Sequence, residues 1–515
     1  MNVIELGLFA SRIEAVCEEM GAVLRRSAFS PNIRDRLDYS CAIFDAEGQL
    51  CAQAAHIPVH LGSMAYAMRD IVGSLDWQRG DMVVVNDPFL GGTHLPDVTL
   101  IAPVFVPPAQ GEQLLGFVAN RAHHADIGGS SPGSMPISRT LAEEGIIIPP
   151  SYLLRAGKLN QALLDTILAS TNNRDELQGD FAAQISANYS GVQRLAELVA
   201  GLGVPQWQQA LNELNDYAER LSRAALRGIP SGEYRFGDCL DDDGLGNTDL
   251  AIVARLQVDE EGIRVDFSGT AAQTSGNVNC PLSVAAAGVY YVFRCLMPPQ
   301  TPACAGAFRP ISIRAPLGCL LNAERPAAVA AGNVETSSRV VDVICGALAQ
   351  AIPALIPAAS HGSMNNLAMG ARGERNWDYY ETIGGGMGAG PLGGGLDALQ
   401  THMTNTLNTP IEVLERNYPL RLRRYAIRRG SGGVGKRNGG DGLLREFEFL
   451  APSELTLLTE RRRHAPWGLA GGGDGACGEN HLNGELLPGK CSVKVEAGDR
   501  LSIATPGGGG WGKQD

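Results

Sequence analysis

None of the eleven cysteines stands in a CxxC pair, so a zinc ribbon has no ligand set here. Their number is odd and several lie in apolar runs, such as Cys41 in YSCAIF and Cys345 in VVDVICGAL. They read as reduced core thiols of a cytoplasmic protein. No apolar run reaches the roughly 20 residues that span a bilayer. Glu5 and Arg12 interrupt the stretch where a signal peptide needs an unbroken apolar core, so a soluble protein is expected. Positive charge is short as well: 42 Lys and Arg against 55 Asp and Glu leave a net charge of -13. That disfavours a general nucleic-acid binder, whose field must displace phosphate counterions. The basic run Arg421, Arg423, Arg424, Arg428 and Arg429 suits an exposed strand face or a subunit contact instead. No serine reads as a nucleophile elbow between strand and helix and no cysteine has thiolate-forming neighbours, so covalent catalysis is not expected. Aromatics make up only 6% of the chain, while 64 glycines within a 44% hydrophobic composition point to turns and close backbone approaches rather than disorder.

With 515 residues there is room for several lobes. Phe9, Ile13, Val16, Met20, Val23 and Leu24 recur at helical spacing and predict an opening amphipathic helix. Strand patterns dominate from there to about residue 120. Leu163, Ile167, Leu195, Leu198, Leu211, Leu214, Tyr217 and Leu221 then mark a helical block over 161–227, closed by Gly228-Ile229-Pro230-Ser231-Gly232. Alternating segments at 233–236 and 262–267 return to strands, 285–296 and 339–352 read as buried helices, and from about 370 the chain is glycine-rich and strand-like. The expected class is α+β: a multi-lobed mixed fold with antiparallel hairpins in an N-terminal lobe (1–227, including the helical block), a central α/β lobe (228–365) and a glycine-rich β lobe (366–515).

The densest chemistry is NDPFLGGTHLPDV followed by NRAHHADIGG. Val98 to Val106 and Gln113 to Ala119 read as an antiparallel hairpin turned by PPAQGE, whose open end sets Asp97 near Arg121. His94, Asp97 and His123 converge there, with His124 and Asp126 beside them. Imidazole and carboxylate together suit a divalent metal. The same residues would also make a buried hydrogen-bond network. A second hairpin, Tyr39 to Phe44 and Gln49 to Ala54, brings Asp38 near His56, but in the mixed-sign run Arg34-Asp35-Arg36-Leu37-Asp38 spacing alone reads Asp38 as a solvated charge. Glu143-Glu144 is a solvated loop pair or a source of a general base. Gly430 to Lys436 fits the first seven positions of a phosphate-binding loop, yet Arg437 stands where Ser or Thr must hold magnesium, and the following glycines cannot open a helix. A glycine-rich turn is the better description. GGGMGAGPLGGG (384–395) is too long for a plain connection and reads as a functional loop or a flexible one.

NIRDRLDYSCAIFD, AAHIPVHLGSM, NDPFLGGTHLPDVTL, ANRAHHADIGG, AGNVETSSRVVD, THMTNTLNTPIE and PGGGGWG occur in an order that resembles, nearly end to end, the B subunit of ATP-dependent hydantoinases and the matching half of 5-oxoprolinase, relatives of caprolactamase and an acetone carboxylase subunit. The resemblance implies the metal-bearing catalytic subunit of an enzyme that hydrolyses a cyclic amide. ATP would be bound by a separate sugar-kinase-like A subunit in a hetero-oligomer, not by this chain. It implies Asp38, His94, Asp97 and His123 as ligands of zinc, manganese or iron, and moves His124 and Asp126 to outer or substrate-contact positions. Asp126, Glu144 or His124 would handle protons. Asn333, Glu335 and Arg339 would bind substrate, although helix capping and salt bridging explain those three equally well. The other readings are a subunit of an ATP-dependent ketone carboxylase and an assembly subunit with a structural metal.

Overall fold

The apolar stripe of the first helix folds as its spacing predicts. In a computed structural model describing residues 1–54, 56–106, 112–373 and 376–514, Phe9, Ile13, Val16, Met20 and Leu24 form the buried face of α1 (Val3–Ser27), whose first turn is capped by Asn2. A single short turn, α2 (Pro31–Arg34), leads into the first sheet. That sheet joins β1 (Tyr39–Asp45), β2 (Leu50–Gln53), β3 (Met82–Val85), β4 (Asp97–Phe105), β5 (Leu114–His123), β6 (Ser151–Arg155) and β7 (Lys158–Leu159) in the order β2-β1-β5-β4-β3-β6-β7. All its pairings are antiparallel. The two predicted hairpins are thus neighbours, docked through β1 and β5, which the sequence reading could not decide. Of the PPAQGE turn, Pro107 to Gly111 lie outside the described residues.

Strands do not run unbroken to residue 120. Pro58 opens α3 (Pro58–Gly73), where its missing N–H costs nothing, and Leu61, Met64, Met68, Ile71 and Val72 give that helix one buried stripe. It covers one face of the sheet, against Ala42, Phe44, Ile101, Phe117 and Ala119. The other face meets α1 and the helical block, α4 (Gln161–Ser170), α5 (Arg174–Leu202) and α6 (Val204–Leu226), through residues such as Cys41, Ile43, Val98, Leu100 and Val118. Burial on both faces explains why β4 and β5 read as continuous apolar runs rather than alternating ones.

The middle of the chain forms a four-stranded sheet of β8 (Gly232–Asp242), β9 (Thr248–Val258), β10 (Ile263–Asp266) and β11 (Ile311–Arg314), packed by α8 (Ser337–Ala351), which α7 (Leu282–Leu296) joins to α3. One π-helical turn, Gly332–Thr336, precedes α8; such turns gather at functional positions. Beyond it come β12 (Asn366–Ala371), β13 (Trp377–Glu381), α9 (Ile411–Asn417), β14 (Leu420–Arg428), β15 (Gly442–Phe449), β16 (Ser453–Leu458), β17 (Glu479–Leu482), β18 (Glu485–Leu487), β19 (Lys490–Val495) and β20 (Arg500–Ala504). They build two sheets, β13-β12-β16-β19 and β14-β15-β20-β17-β18.

The glycine runs neither turn freely nor hang loose. Segments 384–396, 430–440, 468–476 and 506–512 lie side by side and exchange backbone hydrogen bonds, among them Gly440 N to Met387 O, Gly433 N to Gly508 O and Gly510 N to Gly473 O. A Cβ on Gly386 would lie 1.9 Å from the Gly440 carbonyl oxygen, and one on Gly508 would lie 2.1 Å from that of Met387. Only backbones fit that closely. The loop resembling a phosphate-binding motif is absorbed here: Lys436 N bonds Gly512 O, Arg437 pairs with Trp511, and no helix follows.

Candidate metal centre

Strand register assembles three side chains in a row. Asp97 on β4 faces His123 on β5. Tyr39 on β1 faces Ala122, so Asp38 comes to lie next to His123, whose amide donates to the Asp38 carbonyl at 3.0 Å. Asp97 therefore does not sit opposite Arg121, as the sequence reading expects, because β5 runs on to His123 instead of stopping at Ala119. A two-residue slip keeps every side chain on its face. Arg121 sits one pleat further in, its Nε donating to Thr99 Oγ1 at 2.7 Å and its Nη1 to Ser63 Oγ at 2.7 Å.

Two further elements close the row. The loop before β4 turns at Gly91, whose φ of 104° is open to glycine, and brings in His94; Asn86 clamps that loop by donating to Leu95 O at 2.9 Å. From α3 comes His60. Its Nε2 lies 3.2 Å from Asp97 Oδ2 and 3.9 Å from Asp38 Oδ1, and its Nδ1 faces Ser40 Oγ at 3.3 Å. Asp97 Oδ2 also accepts from Thr93 Oγ1 at 2.6 Å and from Asn333 Nδ2 at 3.1 Å. With that oxygen fixed by three donors, Oδ1 is the one turned inward. His94 Nδ1 lies 3.1 Å from the Ala330 carbonyl, so the ring carries its hydrogen there and leaves Nε2 bare.

His94 Nε2, Asp97 Oδ1 and His123 Nε2 are all buried and, among the described residues, have no hydrogen-bond partner. Ligand atoms of these three residues lie within 4.8 Å of one another. Beside them is a cavity of about 20 Å³ bounded by Asp38, His60, His94, His123, Asn333 and Tyr380, room for one water or one ion. Tyr380 stacks on His123 with centroids 4.6 Å apart, and Arg36 lies over the far ring at 5.0 Å while bonding the Tyr380 carbonyl. Asn32 gives its oxygen to Arg36 and approaches His123 Nδ1 with its nitrogen at 3.3 Å. In that arrangement a neutral His123 carries its hydrogen on Nε2; a ligand role for Nε2 requires the Asn32 amide to turn, accept from Nδ1 and give up its bond to Arg36.

Burial would raise the Asp97 pKa, but His60 and His94 overcome it and hold the carboxyl well below its ordinary value. Asp38 goes the other way: burial, helped by Asp97, raises it against Arg36, His60 and His94. His94 is raised because Asp97 outweighs burial, and His123 is pushed well down by burial. The cluster thus pairs one firmly ionised carboxylate, Asp97, with a neutral His123, while the proton that Asp97 draws to His94 is the one a cation would displace.

The remaining candidates are placed elsewhere. Successive residues of a strand point to opposite faces, so His124 leaves the cavity for α5, bonding Gln184 Oε1 at 3.0 Å against the Phe181 ring. Asp126 is spent on the loops, accepting from Gly128 N, Ser134 Oγ, Thr171 Oγ1 and Asn172 N. Glu144 is no solvated loop residue: it is fully buried, accepts from Ser138 Oγ and from the amides of Val329 and Ala330, and is pushed up to about 7 by burial. It holds the segment Val329–Ala330, whose Ala330 carbonyl orients His94. Of the three substrate candidates only Asn333 reaches the cavity. Glu335, also pushed up to about 7 by burial, binds Met364 N and Asn366 Nδ2, and Asn366 in turn takes the Tyr380 hydroxyl. Arg339 is buried among Asp238, Asp342 and Glu460, with no substrate-facing edge. Gly129 to Gly133 does carry GxSxG spacing, yet a three-residue turn follows instead of a helix, and Ser131 Oγ has no base bonded to it among the described residues.

His60, Thr93, Asn32 and Tyr380 escaped the sequence reading. His60 was recoverable: PVHLGSM carries proline and then the apolar spacing of a helix start, a signal lost by reading strands through to residue 120.

Comparison with known proteins places this architecture among relatives. The family model for hydantoinase B/oxoprolinase matches residues 2–514. The chain is 41% identical, over 99% of its length, to an uncharacterised protein of Methanocaldococcus jannaschii and spans 91% of it. It is 40% identical over 99% of its length to 5-oxoprolinase 1 of Arabidopsis thaliana, but spans only 42% of that protein. The crystal structure of an ATP-dependent caprolactamase from Pseudomonas jessenii superposes with a TM-score of 0.92 at 28% identity, over 100% of this chain and 91% of that one.

Proposed function

Since the chain belongs to the hydantoinase B/oxoprolinase family, we propose that it is the ring-opening subunit of an ATP-dependent cyclic-amide hydrolase and that His94, Asp97, His123 and Asp38 hold a divalent metal. The carrying observation is the set of three inward-facing ligand atoms without hydrogen-bond partners around one cavity. Unpaired buried polar atoms cost about 1–3 kcal/mol each. Three of them facing one another make poor sense as a resting network and good sense as a cation site. Imidazole and carboxylate donors suit zinc, manganese or iron; such an ion, when bound, supplies a Lewis acid that polarises a carbonyl or acidifies water.

The chain's own residues set the rest. Thr93, Asn333 and His60 fix one oxygen of Asp97 and leave the other, Oδ1, 3.4 Å from His94 Nε2, and Ala330, held by Glu144, fixes His94. Glu144 is therefore a positioning residue rather than a proton carrier. His60 lies between the two carboxylates, its Nε2 3.2 Å from Asp97 Oδ2 and 3.9 Å from Asp38 Oδ1, and draws them toward one another. Ile57, Val59, Val334, Met364 and Met403 line the remaining wall and keep bulk water out. A ring amide resists attack because nitrogen donates into its carbonyl. In this reading an ATP-binding, sugar-kinase-like partner transfers phosphate to the carbonyl oxygen, and this chain receives the activated imidate. Nucleotide handling falls to the partner because the chain spans less than half of 5-oxoprolinase 1 and Gly430 to Arg437 opens no helix to receive phosphate.

The test is reconstitution. The chain purified with its kinase-like partner is expected to open 5-oxoproline, hydantoin or a lactam with one ADP released per ring, to carry at least one divalent metal per chain, and to be inactive alone. Ring opening by this chain without partner or ATP, or full activity after complete removal of metal, would sink the reading.

A further inference from the structure

Away from the cavity, where the β8–β9 hairpin meets the segment following β16, a second set of donors converges. Cys239 on β8, Asp249 at the start of β9 and His464 present a thiol sulfur, a carboxylate oxygen and a ring nitrogen within 4.8 Å of one another. We propose that these three residues form a second cation site, reachable from solvent, for a borderline divalent ion of the zinc class with water as fourth ligand. The chemistry of the donors selects the ion. Magnesium and calcium take oxygen ligands, whereas a thiolate, an imidazole and a carboxylate together match zinc and its neighbours.

The site is built from two directions. Cys239 pairs with Ala251 in the β8–β9 ladder, which sets it beside Asp249, and Asp249 is held at a φ of 56°. Asp241 carries the third ligand: its carboxylate accepts from the amides of Arg462 at 2.6 Å, Arg463 at 3.2 Å and His464 at 3.1 Å, so the His464 backbone is fixed opposite the hairpin. His464 Nε2 and Asp249 Oδ1 already meet at 2.6 Å. Asp249 Oδ2 accepts from Thr248 Oγ1 at 3.1 Å and from Arg463 Nη2 at 3.4 Å. The Arg463 side chain is 48% exposed and has room to swing away. Tetrahedral zinc spaces its ligands about 3.3–3.8 Å apart, so the His464–Asp249 contact opens and Cys239 closes by roughly 1 Å each. Binding releases the thiol proton to solvent, one per ion, and ties the hairpin to residues 461–464. Unlike the centre beside Asp97, this one contains sulfur, and that difference makes the two separable.

Cobalt(II) is the probe. Added to the metal-stripped full chain, it is expected to give a near-ultraviolet thiolate-to-cobalt charge-transfer band. The band should persist in His94→Ala, vanish in Cys239→Ser, and require at least tenfold more cobalt in His464→Gln and Asp249→Asn, whose exposed positions tolerate the change. A native chain without the band, or a band undiminished in Cys239→Ser or in both exposed variants, overturns the proposal, whatever becomes of ring opening.

Discussion

Asp97→Asn is expected to cut ATP-dependent ring opening on the order of 10³-fold, a barrier increase of about 4 kcal/mol, and to leave the chain nearly free of metal at its first centre. The substitution keeps the shape of the side chain, and Thr93, Asn333 and His60 still surround one of its atoms. What changes is the inward atom. An amide nitrogen in place of Oδ1 donates toward His94 Nε2, satisfying the bare nitrogen with a hydrogen bond and removing the one firmly ionised ligand. Thermal stability should fall as well, because His60 and His94 hold the carboxyl ionised in the native chain and lose that charge partner in the variant. Asn333→Ala, which removes only one of the three donors to Oδ2, should cost roughly 10–100-fold. Elemental analysis and steady-state rates on the reconstituted pair check both. An Asp97→Asn protein with native metal content and native rate would exclude Asp97 as a ligand.

The second large effect is on stability. Lys490 is fully buried, with Nζ bonded to Glu460 Oε1 and Asp242 at 3.9 Å; Glu460 Oε2 also accepts from Asp241 N at 2.9 Å and faces Arg339. Removing one member of a buried ion pair leaves the other charge desolvated and unmatched, at a cost of about 3–5 kcal/mol. Lys490→Met should therefore lower the thermal midpoint by roughly 3–5 °C. Burial alone would lower the Lys490 pKa, but Glu460 and Asp242 raise it. A raised lysine stabilises the fold fully below its unfolded value of about 10.4 and loses that contribution only as pH climbs through the folded one, so the loss in Lys490→Met should persist across neutral pH. Adding Glu460→Gln should recover part of the stability by removing the stranded carboxylate. A midpoint indistinguishable from the native one, where about 3 kcal/mol predicts a fall of about 3 °C, would show that the pair contributes little.

These expectations rest on residues whose legibility in the sequence differed greatly. The hairpin carrying Asp97 and His123 could be read locally, since β-branched runs flank a turn and the period of two preserves a face even when register slips by two. Asp38 could not be read that way. Its neighbours Arg34, Asp35 and Arg36 are those of a surface segment, and only the pairing of β1 with β5, some 80 residues away in sequence, buries it; motif resemblance, not spacing, brought it forward. His124 shows the reverse case. It lies beside His123 in the chain, yet strand alternation sends it to the other side of the sheet. Arg339 and Glu335 looked like substrate groups because a sequence shows charge without its partners, and those partners, Asp238, Glu460 and Asn366, come from both neighbouring sheets.

The glycine segments carry a consequence for how the molecule is made. Residues 506–512 supply hydrogen bonds to 386–389, 433–440 and 469–473 at once, so three stretches synthesised earlier remain without their shared neighbour until this one leaves the ribosome. Until then they expose unpaired peptide groups with no side chains to shield them, in a part of the chain where contacts are long-range and slow to form. The strand pairings of the N-terminal sheet all lie within residues 39–159 and do not wait for these segments. They can form ahead of them during translation, and the arrival of 506–512 decides whether the glycine segments become a fold or an aggregate.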